Sequence, residues 1–312
     1  MDITDTPLHV STPVWESPPM SRILGVPVFL KMEAFQPVGS FKLRGMGRAC
    51  QKACMNGAKK LVSSSGGNAG LAVAHAGRRL GIPVTIVVPG KTAARSRDLI
   101  RSEGAEVVEH GESWDDAHAH AVSLCGRLEA AYIHPFDDPS AWEGHATMMH
   151  EVAAAGIRPG IVVVSVGGGG LLCGVAQGME DLGWSNVPIL AVETKGADSF
   201  AAAISAGRLI TLESITSIAT TLGARTVTPE ALALARRREI RPLVVEDRSA
   251  VTACLRFADD HRVLVEPACG ASLSAAYERA RPLLGCGPVL VIVCGGAGVT
   301  RSLLEQWDRQ TA

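Results

Sequence analysis

Residues 161–170 read IVVVSVGGGG, an uncharged run of mostly β-branched residues that ends in four consecutive glycines. A strand that is apolar at nearly every position is typical of a parallel sheet buried on both faces. The residues from Leu171 onward are again mostly apolar and predict a helix directly after the glycines. This stretch therefore predicts one strand–turn–helix unit of an α/β fold.

The alternation continues on both sides of this unit. Strands are predicted at 26–31, 61–63, 84–88, 106–108, 131–133, 188–192 and 289–293. Helices are predicted at 68–80, 92–103, 114–128 and 140–155, and from about residue 299. Repeated strand–helix units imply parallel sheets with right-handed crossovers.

Composition excludes several classes of protein. The 312 residues carry a net charge of −1 and have no basic face, which disfavours nucleic acid as a partner. No apolar run approaches the ~20 residues of a membrane span, and residues 1–5 are acidic and lack an apolar signal core. The eight cysteines form no CxxC pair, as expected of reduced thiols in a cytoplasmic protein.

A lysine stands out in residues 40–45, SFKLRG, where Lys42 follows the aromatic Phe41. A partly desolvated lysine has a lowered pKa and can act as a nucleophile. An ordinary surface lysine would fit this hexapeptide equally well.

Two turns offer backbone N–H groups at a helix start. Residues 63–70, SSSGGNAG, add hydroxyl and amide side chains and suit a carboxylate, although Asn68 could simply be an N-cap. Residues 167–170 predict a phosphate cradle, because four glycines exceed what a tight turn needs. A dinucleotide fingerprint GxGxxG fails here, since Leu172 and Cys173 stand where its last glycine belongs.

Other chemistry has weaker support. Cys294 ends the last predicted strand, where a thiol could face a heterocyclic nitrogen, although a buried cysteine is the ordinary interpretation. His118 and His120 fall on different faces of a helix, and His145 and His150 are five residues apart. We assign these histidines to surface or packing roles and not to a metal site.

These segments, in this order, resemble the fold-type II enzymes that depend on pyridoxal 5′-phosphate (PLP), and most closely the short liver-type L-serine/L-threonine dehydratases. The resemblance runs nearly end to end. Beyond the segments above, it rests on residues 6–10 (TPLHV), 135–138 (PFDD), 142–145 (WEGH), 166–174 (VGGGGLLCG), 265–271 (VEPACGA) and 293–296 (VCGG).

The resemblance implies an α/β fold with two open, twisted, mostly parallel sheets and flanking helices. It places 1–35 with 138–312 in a large PLP-binding domain and 36–137 in a small domain. It implies a cytoplasmic homodimer without membrane or nucleic-acid partners. The implied reaction is α,β-elimination, which converts L-serine to pyruvate, and L-threonine to 2-oxobutyrate, with release of ammonia.

The resemblance also implies roles for individual residues. Lys42 would carry PLP as a Schiff base and remove the Cα proton, with Phe41 stacked on the ring. The remaining PLP contacts would be Asn68 at the ring hydroxyl, Gly167, Gly168, Gly169, Gly170 and Leu171 at the phosphate, and Cys294 at the pyridine nitrogen. The substrate carboxylate would bind Ser65, Gly66, Asn68 and Ala69. A monovalent cation, usually potassium, would bind Gly167, Glu193, Ala197, Ser199, Leu222 and Ala224.

Two positions depart from the pattern of these relatives. Gly66 stands where several of them carry alanine, and Thr221 stands where the liver-type enzyme carries alanine. The alternative functions are a serine racemase, a β-replacement PLP enzyme and a catalytically weak amino-acid-binding relative.

Overall fold

The structure is a computed structural model that describes residues 6–312. Residues 1–5, on which the expectation of an acidic N-terminus without a signal core rests, lie outside the described residues. The described chain forms two compact units. The first unit contains residues 6–10 and Gln36–His145, and the second contains Ser11–Phe35 and Ala146–Ala312.

The strands alternate with helices along most of the chain. The strands are β1 Val14–Glu16, β2 Val28–Lys31, β3 Leu61–Ser63, β4 Val84–Val88, β5 Glu106–Glu109, β6 Ala131–Tyr132, β7 Ile161–Ser165, β8 Ile189–Thr194, β9 Ile240–Val245 and β10 Val289–Ile292. The helices are α1 Pro18–Leu24, α2 Lys42–Met55, α3 Asn68–Leu80, α4 Ala94–Ser102, α5 Trp114–Leu128, α6 Pro139–Ala154, α7 Gly170–Asp181, α8 Ser199–Ala206, α9 Pro229–Arg237, α10 Asp247–His261, α11 Pro267–Tyr277 and α12 Arg301–Thr311. No helix within residues 6–312 is both long and apolar enough to cross a bilayer.

The first unit is built on a four-stranded parallel sheet in the order β5-β4-β3-β6. Helix α5 packs on this sheet through Ala117 and Ala121, which join Val62 and Val87 in one buried cluster. The chain runs outward from β3 to β5 and then returns to the other side of β3 as β6. Ligands of open α/β sheets bind at such a reversal point, here the carboxyl end of β3.

The second unit is built on a six-stranded sheet in the order β1-β2-β10-β7-β8-β9. Only β1 is antiparallel to its neighbour. The chain runs outward from β7 to β9 and returns to the other side of β7 as β10. The carboxyl ends of β7 and β10 are therefore the reversal point of this sheet.

The predicted α/β fold with two mostly parallel sheets is confirmed. Strands β3 and β4 and helices α3 and α5 have the predicted bounds. Other elements differ. Glu193 lies inside β8 and does not end it, and neither strands β1 and β9 nor helices α1, α2, α8, α10 and α11 were predicted. The predicted domains, 1–35 with 138–312 and 36–137, stay a prediction. The compact units differ from them, because residues 6–10 and 138–145 belong to the first unit and not to the second.

Candidate active site

Lys42 is the first residue of α2, and its amine is held in place. The Nζ atom donates a hydrogen bond to the carbonyl oxygen of Pro135 at 2.7 Å and lies 5.2 Å from the centre of the Phe41 ring. The side chain is half-buried. Two of the predicted residues, Phe41 and Lys42, are thus adjacent in space as well as in sequence. The Pro135 carbonyl is a contact that no sequence pattern indicated.

His145 packs against the ring of Phe41. The two rings lie 4.9 Å apart, and His145 also presses against Gly45, where a Cβ atom would clash with the imidazole. Neither ring nitrogen of His145 has a hydrogen-bond partner within residues 6–312. Burial, aided by the positive charge of Lys42, lowers the pKa of His145 well below its ordinary value. The imidazole is therefore neutral and has a packing role, as predicted.

The end of β3 and the start of the following turn are held by two serines, Ser63 and Ser64. Ser63 donates to the carbonyl of Ile133 at 2.7 Å, and the hydroxyl of Ser64 lies 2.6 Å from that of Tyr132. Ser65 then accepts a long hydrogen bond, 3.3 Å, from the backbone of Gly67. With these contacts made, the backbone of residues 65–69 is the part of the turn that we assign to ligand binding.

Helix α3 begins at the end of this turn. Its N-cap is Gly67, so Asn68 is the first helical residue and not the N-cap that the sequence allowed. The cap makes no side-chain hydrogen bond to the first turn of the helix. Uncapped N–H groups at a helix start attract a carboxylate through hydrogen bonding and the helix dipole. The loop therefore suits the predicted substrate carboxylate.

An aromatic group backs the same turn. His118 is half-buried: its Nδ1 atom lies 2.7 Å from the Tyr132 hydroxyl, and its ring stacks on Trp114 at 4.9 Å. His120 lies on another face of α5 and stacks on His110 at 3.9 Å, so the prediction of different faces is confirmed. The i,i+4 spacing of Trp114 and His118 was the signal that could have revealed this contact.

The turn after β7 presents backbone only. Gly169 has a φ of 93°, and a Cβ there would lie 2.9 Å from side-chain carbons of Thr228 and Ala231. A Cβ on Gly167 would lie 2.9 Å from the Cα of Leu222. The N-cap of α7 is Gly169, which has no side chain to cap the helix, so the first helical N–H groups face the turn. This geometry fits the phosphate group of PLP.

Cys294 follows β10 and is buried. A hydrogen bond with Cys269, together with burial, raises the pKa of the Cys294 thiol well above its ordinary value. The carboxylate of Glu266 lies against Gly296, whose φ of 146° and lack of a side chain allow that approach. A neutral thiol at a strand end suits an uncharged pyridine nitrogen.

Thr221, which departs from the liver-type pattern, has a partner. Its hydroxyl donates to the Glu266 carboxylate at 2.6 Å. Glu266 falls within the motif of residues 265–271, but no role was predicted for it. The pair Thr221–Glu266 belongs to the surroundings of the Cys294 turn.

The predicted cation ligands are partly gathered around Glu193. Its buried carboxylate accepts hydrogen bonds from the backbone of Phe200 at 2.9 Å and Ala201 at 2.8 Å. Burial nevertheless raises the pKa of Glu193 to about 8. The buried hydroxyl of Ser199 has no hydrogen-bond partner among the described residues. A buried acid that makes no ion pair within residues 6–312, together with an unsatisfied hydroxyl, fits a bound cation.

The carbonyl-bearing members of that set also approach one another. Gly167 packs against the backbone of Leu222, as described above, and the Leu222 carbonyl accepts a hydrogen bond from Ala224 at 2.7 Å. Ala197 forms a β-bridge with Thr194, the residue after Glu193.

Comparisons with known proteins identify the family of the chain. Residues 6–295 match the family described as pyridoxal-phosphate-dependent enzyme. A mouse protein named serine dehydratase-like is 48% identical, with 96% of this chain and 94% of the relative covered. A human protein named L-serine dehydratase/L-threonine deaminase is 45% identical, with 97% and 96% covered.

A solved structure of an L-serine ammonia-lyase from the fungus Rhizomucor miehei is similar, with a TM-score of 0.92 and 36% identity over 98% of this chain and 99% of that one. A maize serine racemase is similar with a TM-score of 0.88 and 28% identity, over 97% and 92% of the two chains. The family match and the two relatives cover nearly the whole chain, and this protein belongs to the pyridoxal-phosphate-dependent enzyme family.

Proposed function

We propose that this enzyme is an L-serine dehydratase that also acts on L-threonine. The observation that carries the proposal is the amine of Lys42, held by the Pro135 carbonyl beside Phe41 in a chain whose relatives are named serine dehydratases. The products would be pyruvate and ammonia from serine, and 2-oxobutyrate and ammonia from threonine.

Each residue has a defined task in this proposal. PLP supplies an electron sink for the pair of electrons left on the substrate Cα. The uncapped start of α3 and the Ser65 hydroxyl bind the substrate carboxylate and fix its orientation. Lys42 would remove the Cα proton, and the β-hydroxyl would take up a proton from the cofactor phosphate and leave as water. Phe41, packed against His145, would cover one face of the cofactor ring.

The backbone turn of residues 167–170 and Leu171 would hold the cofactor phosphate, with Asn68 at the ring hydroxyl. The neutral Cys294 thiol would share a hydrogen bond with the ring nitrogen without giving it a full positive charge. A weakly charged ring stabilises a carbanion less well. Elimination tolerates this because loss of the β-hydroxyl removes the excess charge from Cα.

The test compares wild type with Lys42→Ala after both are loaded with PLP. Wild type should form pyruvate from L-serine, followed by coupling to lactate dehydrogenase, and should show the visible absorbance of the bound cofactor. Lys42→Ala should lose that absorbance, and its rate should fall by at least the ~10²–10⁴-fold that proton transfer contributes. Lys59→Ala, at an exposed lysine in the same unit, is the matched control and should behave as wild type.

Other outcomes would point to other functions. Conversion of L-serine to D-serine without pyruvate would identify a racemase. Bound PLP with no product from serine or threonine would leave a replacement enzyme or a weak binding relative. An active Lys42→Ala variant would contradict the proposal.

We also propose that potassium binds at Glu193. Its other ligands would be the hydroxyl of Ser199 and the carbonyls of Gly167, Ala197, Leu222 and Ala224. Potassium should raise the melting temperature of wild type relative to lithium. Ser199→Ala should abolish this gain yet cost nothing in lithium, because the hydroxyl has no protein partner in the described chain. An equal potassium effect in both proteins would contradict the assignment.

The resemblance further supports a cytoplasmic homodimer. Sedimentation at two protein concentrations would test the oligomeric state, and fractionation of cells that express the chain would test its location.

A further inference from the structure

Gly66 lacks a side chain for a packing reason and not for a backbone reason. Its φ is not positive, so the backbone there would accept an ordinary L-residue. A Cβ on Gly66 would lie 2.6 Å from the Cγ2 atom of Thr92 and 2.9 Å from its Oγ1 atom. The side chain of Thr92 therefore occupies the space that an alanine at residue 66 would need.

Thr92 is held in this position by its own turn. Its backbone N–H donates to the carbonyl of Pro89 at 3.0 Å, which closes a turn directly after β4. The N–H of Gly90 donates to the carbonyl of Gly111 at 3.0 Å and ties that turn to the segment after β5. Because β4 pairs with β3, the turn that carries Thr92 lies beside the turn that carries Gly66.

The rest of the substrate loop is fixed elsewhere. Ser63 is hydrogen-bonded to Ile133, directly after β6, and Ser64 is hydrogen-bonded to Tyr132 in β6. Gly70 lies directly against the Ser65 carbonyl, since a Cβ on Gly70 would overlap that oxygen. Between these points, the half-buried Thr92 supplies the nearest atoms against the outer side of Gly66.

We infer that Thr92 is a positioning residue for substrate: its side chain sets the place of Gly66, and so of the N–H groups that bind the substrate carboxylate. This inference rests on the proposed function. Thr92 acts through Gly66 and is not itself assigned a contact with substrate.

The inference predicts that the two positions compensate each other. Gly66→Ala should displace the loop and raise the KM for L-serine by about tenfold, with a smaller change in kcat, because misplacement weakens binding of the carboxylate. Thr92→Ala should raise KM by about threefold, since Gly66 gains backbone freedom. The double variant should have a lower KM than Gly66→Ala alone, because only the Thr92 Cβ, 3.3 Å away, then remains near the new methyl group.

Two control variants make the same chemical changes in open space. A Cβ on Gly126, which lies on α5, would have no neighbouring atom within 4 Å, so Gly126→Ala should leave KM unchanged. Thr252 on α10 is exposed, so Thr252→Ala should also leave KM unchanged. A double variant whose KM equals the product of the two single effects would overturn the inference.

The melting temperatures of wild type, Gly66→Ala, Thr92→Ala and the double variant should also be measured. They report the contact between residues 66 and 92 without any need for enzyme activity, so they separate the inference from the proposed function. If wild type forms neither pyruvate nor 2-oxobutyrate, the proposed function fails, and the coupling is read from melting temperatures alone. Recovery of the melting temperature of Gly66→Ala on addition of Thr92→Ala supports the contact; additive losses overturn it.

Discussion

The turn after β3 and the turn after β7 stand at equivalent places, each at the reversal point of a parallel sheet and each before a helix without a side-chain cap. They are built differently. The turn after β3 is held by hydroxyl groups, two of which bond to residues near β6, and by a neighbouring threonine. The turn after β7 has three glycines after the buried Val166, and these glycines are enclosed by Thr228, Ala231 and Leu222.

This difference matches the two proposed ligands. A phosphate has the same shape in every catalytic cycle, and a rigid backbone cradle suits it. A substrate enters and leaves in every cycle. Because side chains hold the turn after β3, amino-acid substitutions in them can change the position of the bound substrate. We therefore expect changes in the turn after β7 to affect the cofactor and changes in the turn after β3 to affect the substrate.

The largest effect is expected from Gly169→Ala. The change forces an L-residue to a φ of 93°, at roughly 1–2 kcal/mol, and drives a methyl group against Thr228 and Ala231. The overpacking adds about 1–3 kcal/mol, so PLP affinity, measured by titration of the cofactor absorbance, should fall by more than about 100-fold. Gly183→Ala has a similar positive φ of 69° with no atom nearby and controls for the backbone strain alone. If Gly169→Ala bound PLP with wild-type affinity, the turn after β7 would not be the cofactor site, and the comparison between the two turns would fail.

Ser65→Ala should give the next effect and should act on the substrate alone. Loss of a hydrogen bond to a charged group costs about 1.5–3 kcal/mol, so KM for L-serine should rise by roughly 10–100-fold. The PLP titration should match wild type. Ser123→Ala, an exposed serine on α5, serves as the control in the same steady-state assay. A loss of PLP affinity in Ser65→Ala would mean that the turn after β3 also affects the cofactor, and that the two turns do not bind separate ligands.

Acid should weaken the unit that carries the turn after β3. Burial lowers the pKa of His134 to about 4, and its Nδ1 atom accepts backbone hydrogen bonds from Phe136 and Asp137. Between pH 6.5 and 4 the unfolded chain binds a proton that the folded chain does not. Stability therefore falls as pH falls through this window, by about 3 kcal/mol.

His134→Asn tests this assignment, because the asparagine oxygen can accept similar bonds and cannot be protonated. The free energy of unfolding would be measured with urea at about pH 7.5 and about pH 4.5. The loss between these two pH values should be smaller in the variant than in wild type. Equal losses would remove His134 as the cause.

Thr221→Ala should give the smallest effect. Thr221 itself is exposed, and removal of its hydrogen bond to Glu266 should cost about 1 kcal/mol in the free energy of unfolding. The neighbouring exposed Thr220 gives the control, Thr220→Ala. Thermal melts of the PLP-loaded proteins would detect the difference. An effect as large as that of Gly169→Ala would place Thr221 among the residues that hold the cofactor.

The sequence predicted those parts of the fold that depend on local pattern. Helix α3 ends at Gly81 in the left-handed conformation, and β4 is a continuous β-branched run, so both had clear ends. Strand β9 had no such signal, because it contains Arg241 and Pro242 and only partly buries its residues. An edge strand that is interrupted by a charged residue and a proline resembles a loop when only its sequence is known.

The same limit applies to the candidate site. Lys42 and the glycines of residues 167–170 stand out because lysine beside an aromatic and four glycines in a row are unusual in themselves. The roles of Pro135, Thr92 and Tyr132 depend on contacts with residues 26 to 93 positions away. Nothing in the composition of those segments marks them, so only the paired strands reveal them.

The place of β10 has a consequence for synthesis of the chain. This strand lies between β2 and β7, in the interior of its sheet, yet it is the last strand to be translated. Until it emerges from the ribosome, β2 and β7 each lack their shared partner, and their backbone edges stay open to other chains. The four-stranded sheet has no such delay, because its strands all lie within residues 61–132. The nascent enzyme therefore needs protection from aggregation on one sheet for much longer than on the other.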